Sequence, residues 1–567
     1  MTSAAGGRAV RIARFRVSRP WVRPDTSANV EIELVATRDV TVEARVDLLD
    51  VETVVASARR RFRLRSGRAV RTIPLRLPAA RRHGYGLELE LTWVDGRAVA
   101  SSAVEALDEW WDSPRHAALT RFRSPRDTAA VVTALRDWHV TVVQLYDWMY
   151  RHYRYEPPKG PSFVDPLGRR VSHEAVRAGV RAARSTGIAT LAYGSVYGAE
   201  QEYVEEHPDE RVFDPEGRPL SLGDTFFIND LRPGTPWRRR LMAEYARAVR
   251  RFGFDGIHMD TYGPPYACVA ADGEAIDFAT IYPGLIDEGA ATVAGARRGG
   301  RVLFNCVEGF PLDEVARASA VALYLELWPP DETYADVLRW IERARQQGGG
   351  KAVVIAAYIS ALRQYEADPG RRAGAAEAAL MLGAIISAAG AYHHVIADHG
   401  RVLVEGYYPE ARPLRALERR AMQTLWRFTA RYVHLLSDPA LTARPIDEIR
   451  LLDGDGAPVP LSPLPVAGAV WARLTRAPDG SEVLSLIDLV DQPDDRWDEV
   501  RTAPRERRGW SIRWGPAGFV AASPWTSGGR ARPVPDGSLP RFRRWIIAIR
   551  SAGRGERQQE ASPTRSD

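Results

Sequence analysis

Two acidic residues stand where chemistry could be done. In Gly253-Phe-Asp-Gly-Ile-His-Met-Asp-Thr-Tyr-Gly263 an apolar run leads into Asp260, and Gly263, Pro264 and Pro265 signal a turn directly after it. In Val321-Ala-Leu-Tyr-Leu-Glu-Leu-Trp-Pro-Pro330 a run of the same design offers Glu326 beside Trp328. Each reads as a buried strand with a carboxylate at its C-terminal tip. The acids lie 66 positions apart, too far to be local partners. Two strands of one (β/α)8 barrel would bring them to a single mouth, where such barrels build their active sites. A pair of carboxylates with an aromatic surface is the equipment for breaking a glycosidic bond. One carboxyl must stay ionised to attack the anomeric carbon. The other must keep its proton near neutral pH, its pKa raised by apolar surroundings or nearby charge. Leu325, Leu327 and Trp328 are the expected apolar surround of Glu326. Asp255, early in its strand, is expected to make a structural pair.

A sugar also needs flat rings and hydrogen-bonding groups around it. Asp147, Trp148, Tyr193, Tyr262, Asn305, Trp328, Tyr358 and His393 stand at predicted strand ends or just beyond them, and are the candidate substrate-binding residues. Each aromatic has packing as its alternative. Metal binding by His393-His394 is disfavoured, because neighbours on a strand point to opposite faces. Gly348-Gly-Gly-Lys351 precedes a strand, where a phosphate loop would follow one, and reads as a turn.

The elements that position these residues come in three blocks. Residues 9 to 107 carry alternating runs at Val10–Phe15, Val30–Ala36, Thr41–Leu49, Val54–Leu64, Ala69–Leu77, Tyr85–Trp93 and Ala98–Ala106, which predict an immunoglobulin-like β-sandwich over 1–107. From 108 the period changes, and helical stretches such as Asp127–Trp138, His173–Thr186 and Trp237–Phe252 alternate with short apolar strands. A central (β/α)8 TIM barrel with a trailing helix is therefore expected over 108–440. Its strands are expected to end near Asp147, Tyr193, Asn229, Asp260, Asn305, Glu326, Tyr358 and His393. Strand-like periods return from Pro445 and predict a C-terminal antiparallel, Greek-key β-domain over 441–550. The polar tail 551–567 is expected to be disordered.

Composition narrows the classes. The chain has 567 residues, 45% hydrophobic and 26% charged, ordinary for a globular protein of several domains. Its net charge of +6 is small for that length and almost entirely arginine, with Lys159 and Lys351 the only lysines. Arg59-Arg60-Arg61 comes with no nucleic-acid motif, so no nucleic-acid partner is expected. Cys268 and Cys306 are too few for a disulfide framework and are expected to be buried thiols. Met1 to Arg8 shows no apolar signal-peptide core, and no run of 18 apolar residues suggests a membrane span. A cytoplasmic location is expected, although a trimmed signal peptide would look the same.

Leu145-Tyr-Asp-Trp-Met149, Ala192-Tyr-Gly-Ser-Val-Tyr-Gly198, Phe254-Asp-Gly256 through Asp260-Thr261, Leu323-Tyr-Leu-Glu-Leu-Trp-Pro329 and Lys351-Ala-Val-Val-Ile-Ala-Ala-Tyr358 recur together in order across roughly 115 to 410. That ordered set resembles glycoside hydrolase family 66, the dextranases and cycloisomaltooligosaccharide glucanotransferases. The resemblance implies Asp260 as nucleophile and Glu326 as acid/base of a retaining enzyme. It also implies α-1,6-glucosidic links of dextran or isomalto-oligosaccharides as substrate, and no cofactor. Ile257-His258 departs from the Trp-Gln often found there, so contacts to the sugar are expected to differ. Hydrolysis is expected over cyclisation, because the segments leave no room for the carbohydrate-binding insertion of the glucanotransferases. A silent glucan-binding barrel is the non-enzymatic alternative, and the presence of both acids speaks against it.

Overall fold

The computed structural model describes residues 9–263, 267–515, 518–526 and 528–551. Met1 to Arg8, Pro264-Pro265 and the predicted tail beyond 551 lie outside the described residues. At the centre eight parallel strands follow one another: β1 His116–Leu119, β2 Val142–Leu145, β3 Ala189–Ser195, β4 Gly256–Asp260, β5 Arg301–Val307, β6 Ala322–Glu326, β7 Ala352–Ala356 and β8 Tyr392–His394. Each pairs with the next in sequence order. The chain leaving β8 pairs Ile396 with Ala117 of β1, so the sheet curls until its two ends meet.

Helices fill most of the connections, including α1 Pro125–Ala134, α2 His173–Thr186, α3 Pro236–Phe252, α4 Phe278–Ala296, α5 Tyr334–Gln347 and α6 Pro369–Ala388. Between β5 and β6 there is only the short helix Leu312–Val315. Strand alternation sorts the side chains. Ile257, Met259, Phe304, Cys306, Leu323 and Leu325 pack outward with the helices in the largest hydrophobic cluster. Leu303, Tyr324, Val354, Ala356 and Tyr392 belong to a separate cluster within the curl.

Two expectations change here. The first strand is His116–Leu119, a four-residue stretch with no β-branched residue to announce it. The run before Asn229 is not one of the eight. Phe226–Ile228 joins Gly198–Ala199 and Ser221–Leu222 in a small antiparallel sheet that rises after β3.

In front of the curled sheet lie a three-stranded sheet (Val10–Val17, Ser27–Ala36, Gly67–Arg76) and a five-stranded one whose long strands are Val40–Asp50, Thr53–Leu64, His83–Trp93 and Gly96–Ala106. Val30, Ile32 and Ile73 of the first share one buried cluster with Val46, Leu87 and Val104 of the second. The last of the described residues form a further sheet built around Val470–Arg476, Glu482–Asp488 and Trp545–Arg550. Its pairs are antiparallel except where Leu461–Ser462 runs parallel to Val470–Trp471. Among the described residues no helix is long and apolar enough to cross a membrane.

Candidate active site

The approach to β4 is fixed by backbone geometry. α3 stops at Gly253, whose φ of +78° is the left-handed conformation that glycine adopts without strain. Asp255 then takes the structural role expected of it, with Arg297 Nη2 at 2.7 Å and the Thr190 amide donating at 2.9 Å. Gly256 passes so close to β5 that an added Cβ would lie 2.0 Å from the Arg301 carbonyl oxygen. Four residues on, the chain delivers Asp260 at the strand tip.

β4, β5 and β6 are neighbours, and their inward tip residues are Asp260, Asn305 and Glu326. The middle one joins the outer two. Asn305 Nδ2 donates to Asp260 Oδ1 at 2.7 Å and to Glu326 Oε2 at 2.5 Å. Those two contacts with one nitrogen cap the separation of the two oxygens at 5.2 Å. The remaining oxygens are also held. Tyr193 OH donates to Asp260 Oδ2 at 2.9 Å, while Trp328 Nε1 and Tyr358 OH donate to Glu326 Oε1 at 3.0 and 2.9 Å. Buried carboxylates survive only with such partners.

The charge state follows from this crowding. Burial, then the charge on Glu326, pushes the Asp260 carboxyl up to about 7, against the protons donated by Asn305 and Tyr193. Burial also raises Glu326, against its donors Asn305, Tyr358 and Trp328. Two acids this close titrate as a pair, and the pair keeps a proton towards neutral pH. The apolar surround expected from Leu325 and Leu327 is absent. As neighbours of Glu326 along the strand they face outward into the helix layer. Tyr324, Tyr358 and Tyr408 surround it instead.

A cavity of about 520 Å³ opens over the pair. Asp147, Tyr193, Tyr262, Trp328 and Tyr358 line it with the two acids, while Asn305 is buried and reaches the cavity only through its contacts with those acids. Asp147 has a φ of +45° and pairs with Arg169 at 3.0 Å; burial nevertheless raises its pKa. Two candidates lie elsewhere. Trp148 is fully buried behind the cavity among Tyr155, His173, Phe252 and Phe254, its indole N–H on the Tyr193 carbonyl. His393 faces outward, with Nε2 3.0 Å from the Ala357 carbonyl oxygen, and burial lowers its pKa to about 4. One residue of register exchanges it with His394, which points inward.

The cavity also has walls that strand patterns could not announce. Tyr146, His152, Tyr197, Phe226, Tyr407 and Tyr408 all line it, mostly from loops. His152 sits 2.9 Å from Glu200; burial would lower its pKa, but the charge and hydrogen bond of Glu200 raise it. Tyr197 and Tyr146 fall within the segments quoted above, and only that proximity hinted at them. Both cysteines are buried and free, and burial pushes the Cys268 thiol up to about 12.

Among the described residues, Asp50, His83 and His434 form a group whose ligand atoms converge within 4.8 Å. It lies far along the chain from the acids. The His83 and His434 rings stack in parallel at 3.7 Å, and Gly84 donates its amide to His434 Nδ1, which suits packing better than shared ligation.

A curled parallel sheet whose C-terminal edge carries two acids sharing one amide donor has the arrangement on which glycosidases are built. The sequence profile of glycosyl hydrolase family 66 matches residues 25–535, and the chain belongs to that family. Two curated relatives, both cycloisomaltooligosaccharide glucanotransferases of Niallia circulans, are 25% identical over 356 residues and 26% identical over 301. These alignments cover 57% and 49% of this chain but only 36% and 31% of the relatives, so the chain matches about a third of their length. A solved Paenibacillus cycloisomaltooligosaccharide glucanotransferase, complexed with cycloisomaltoheptaose, superposes with a TM-score of 0.85 at 18% identity. The superposition covers 95% of this chain and 99% of that one.

Proposed function

We propose that the protein is a retaining enzyme of α-1,6-linked glucose chains, with Asp260 as nucleophile and Glu326 as acid/base, and that its glycosyl intermediate passes to a sugar hydroxyl. The observation that carries the reading is Asn305, which ties both carboxylates to one amide nitrogen. A retaining pair needs its carboxyl groups about 5–5.5 Å apart, and an inverting pair needs the wider gap that holds a water. The substrate class is supported by the family and by the glucanotransferase relatives.

In the first step Glu326 protonates the leaving oxygen while Asp260 attacks the anomeric carbon. In the second, Glu326 takes a proton from the incoming hydroxyl. The proton must therefore start on Glu326. With no charge above them, burial raises both carboxyls and the pair shares that proton. A sugar gaining positive charge at its anomeric carbon favours the ionised form of Asp260 and leaves the proton to Glu326.

Transfer is preferred to hydrolysis here, which revises the expectation from sequence. That expectation rested on the missing insertion, whereas the curated relatives and the solved neighbour are all cycloisomaltooligosaccharide glucanotransferases. Tyr146, Tyr197, Tyr262, Trp328, Tyr407 and Tyr408 give the cavity aromatic walls on which an acceptor sugar can compete with water. In the same reading the curled sheet is a (β/α)8 barrel, the first two sheets an immunoglobulin-like sandwich and the last sheet a Greek-key domain, with boundaries near 107 and 440.

Incubation with dextran tests this. Rings one water lighter than the linear oligosaccharides are expected in the mass spectrum, with every newly formed linkage α by NMR. Linear products alone would make the enzyme a dextranase. A β linkage would defeat retention, and no turnover would defeat the substrate.

A further inference from the structure

Tyr324 lies two residues before Glu326 on the same face of β6, and a chain of hydroxyls joins the two. The Tyr358 hydroxyl is 2.9 Å from Glu326 Oε1 and 3.3 Å from the Tyr408 hydroxyl. Tyr408 is 3.1 Å from the Tyr324 hydroxyl, which is 2.6 Å from Nδ1 of His394. All four side chains are buried.

Counting protons gives the chain a direction. Each hydroxyl owns one proton, and an ionised carboxylate owns none. Tyr358 has two acceptors in reach, and the charged one binds its proton more strongly. Tyr358 must then accept from Tyr408, Tyr408 from Tyr324, and Tyr324 from an N–H at Nδ1 of His394. We propose that His394 is a positioning residue for Glu326. Its Nδ1–H tautomer polarises Tyr324, Tyr408 and Tyr358 towards the carboxylate and so sets the pH at which Glu326 gives up its proton. The functional consequence rests on the reading of Glu326 as acid/base.

The surroundings of the imidazole fit this role. His394 stacks on His116 at 4.3 Å and meets Tyr408 edge-on at 5.4 Å, with His258 and His393 also close. Among the described residues its Nε2 has no hydrogen-bond partner, so the Nδ1 side decides the tautomer. Burial and the neighbouring imidazoles hold its pKa well below the usual histidine value, so it acts as a neutral donor. The other titratable groups around Glu326 are Asp260, Glu308 and Tyr197. They act on its charge but do not carry protons along this chain.

Two measurements test the proposal. The first needs no substrate. In enzyme labelled with 15N-histidine, the His394 resonances, assigned by their loss in His394→Ala, should show the Nδ1–H tautomer at pH 8. The Nε2–H tautomer would overturn the proposal. The second reads the pH profile of kcat/KM on an α-1,6-glucan. Cutting the chain removes stabilisation of the carboxylate, so Glu326 should hold its proton more tightly. Tyr324→Phe and His394→Ala should each move the alkaline limb up by several tenths of a pH unit. His394→Asn, whose amide can donate from the Nδ1 position, should bring it back. Should either cut variant fail to fold, the other decides. A loss of thermal stability with an unmoved limb in the folded cut variants, while Tyr358→Phe does move it, would reduce His394 to packing and overturn the proposal. Absence of turnover on the glucan would defeat the proposed substrate, and the tautomer would still decide the wiring.

Discussion

Trp328 gives its indole N–H to Glu326 Oε1 across 3.0 Å, so the aromatic surface beside the acid is also one of the acid's hydrogen-bond donors. Its ring stands 5.4 Å from that of Tyr358, the other donor to the same oxygen. One side chain therefore combines sugar platform and acid positioning, and two substitutions separate the roles.

Trp328→Phe keeps a flat ring and removes the donor. It should leave KM for isomalto-oligosaccharides within about threefold and lower kcat about tenfold, the scale of one hydrogen bond to a charged group. Trp328→Ala should also raise KM by about tenfold, the scale of a lost aromatic contact. Initial rates across a series of chain lengths check both. Identical kinetics for the Phe variant and the parent would mean that the indole N–H does nothing for the acid.

Asn305 is the sole side chain seen to contact both acids among the described hydrogen bonds, and Thr261 fixes its strand by donating Oγ1–H to its carbonyl at 3.0 Å. Removing its amide should spread the carboxylates and leave each with one donor fewer. Asn305→Ala should lose about 10²–10³ in kcat/KM, comparable with the loss of a preorganised donor at a reacting centre. Because the lost donors had favoured the ionised forms, the alkaline limb of the profile should move to higher pH. A fall in rate with an unmoved limb would argue that Asn305 only packs.

The pair should also be visible in stability. Asp260 rises from its ordinary 3.8 to about 7 in the fold, so between those values the native state binds more protons than the unfolded chain. Stability from this site thus grows as pH falls from about 7 towards 4, and the full penalty is present above 7. At about 1.4 kcal/mol per pH unit, the penalty is a few kcal/mol. Asp260→Asn removes the charge and should raise the thermal midpoint clearly at pH 8 and little at pH 4.5. Equal shifts at both pH values would show that the buried charge is not what burdens the fold.

How far the site could be read from sequence depended on where its residues sit. Asp260 and Glu326 close apolar strands, Tyr193 and Asn305 stand two residues before the ends of theirs, and a polar residue near the end of an apolar strand is visible as a pattern. Facing is harder. Leu325 and Leu327 were expected to cover Glu326 and His393 to reach the cavity, but a period of two sends adjacent residues to opposite faces, and one position of error reverses them. Trp148 shows the same limit just past a strand end, where Asp147 at φ +45° turns the chain and the indole falls into the core. Tyr407 and Tyr408 lie beyond any period, where a short 3-10 turn begins after Arg401–Val402, and only the folded chain brings them over Glu326.

The roles of the two acids are separable by stereochemistry. Removing the nucleophile blocks the covalent intermediate, so Asp260→Ala should abolish turnover of natural substrates. Removing the acid/base hurts most where the leaving group needs a proton. Glu326→Gln should therefore lose far more activity on dextran than on an activated aryl glucoside or glucosyl fluoride. Azide should partly rescue Glu326→Ala by attacking the glycosyl-enzyme, and two inversions at the anomeric carbon of an α-linked substrate give the α-azide. In Asp260→Ala no intermediate forms, and azide entering the vacated space displaces the activated leaving group once, giving the β-azide. Asn305 holds Asp260 and Glu326 to one nitrogen, so distance alone cannot assign their roles. The configuration of the azide can. A β-product from Glu326→Ala together with an α-product from Asp260→Ala would exchange the nucleophile and the acid.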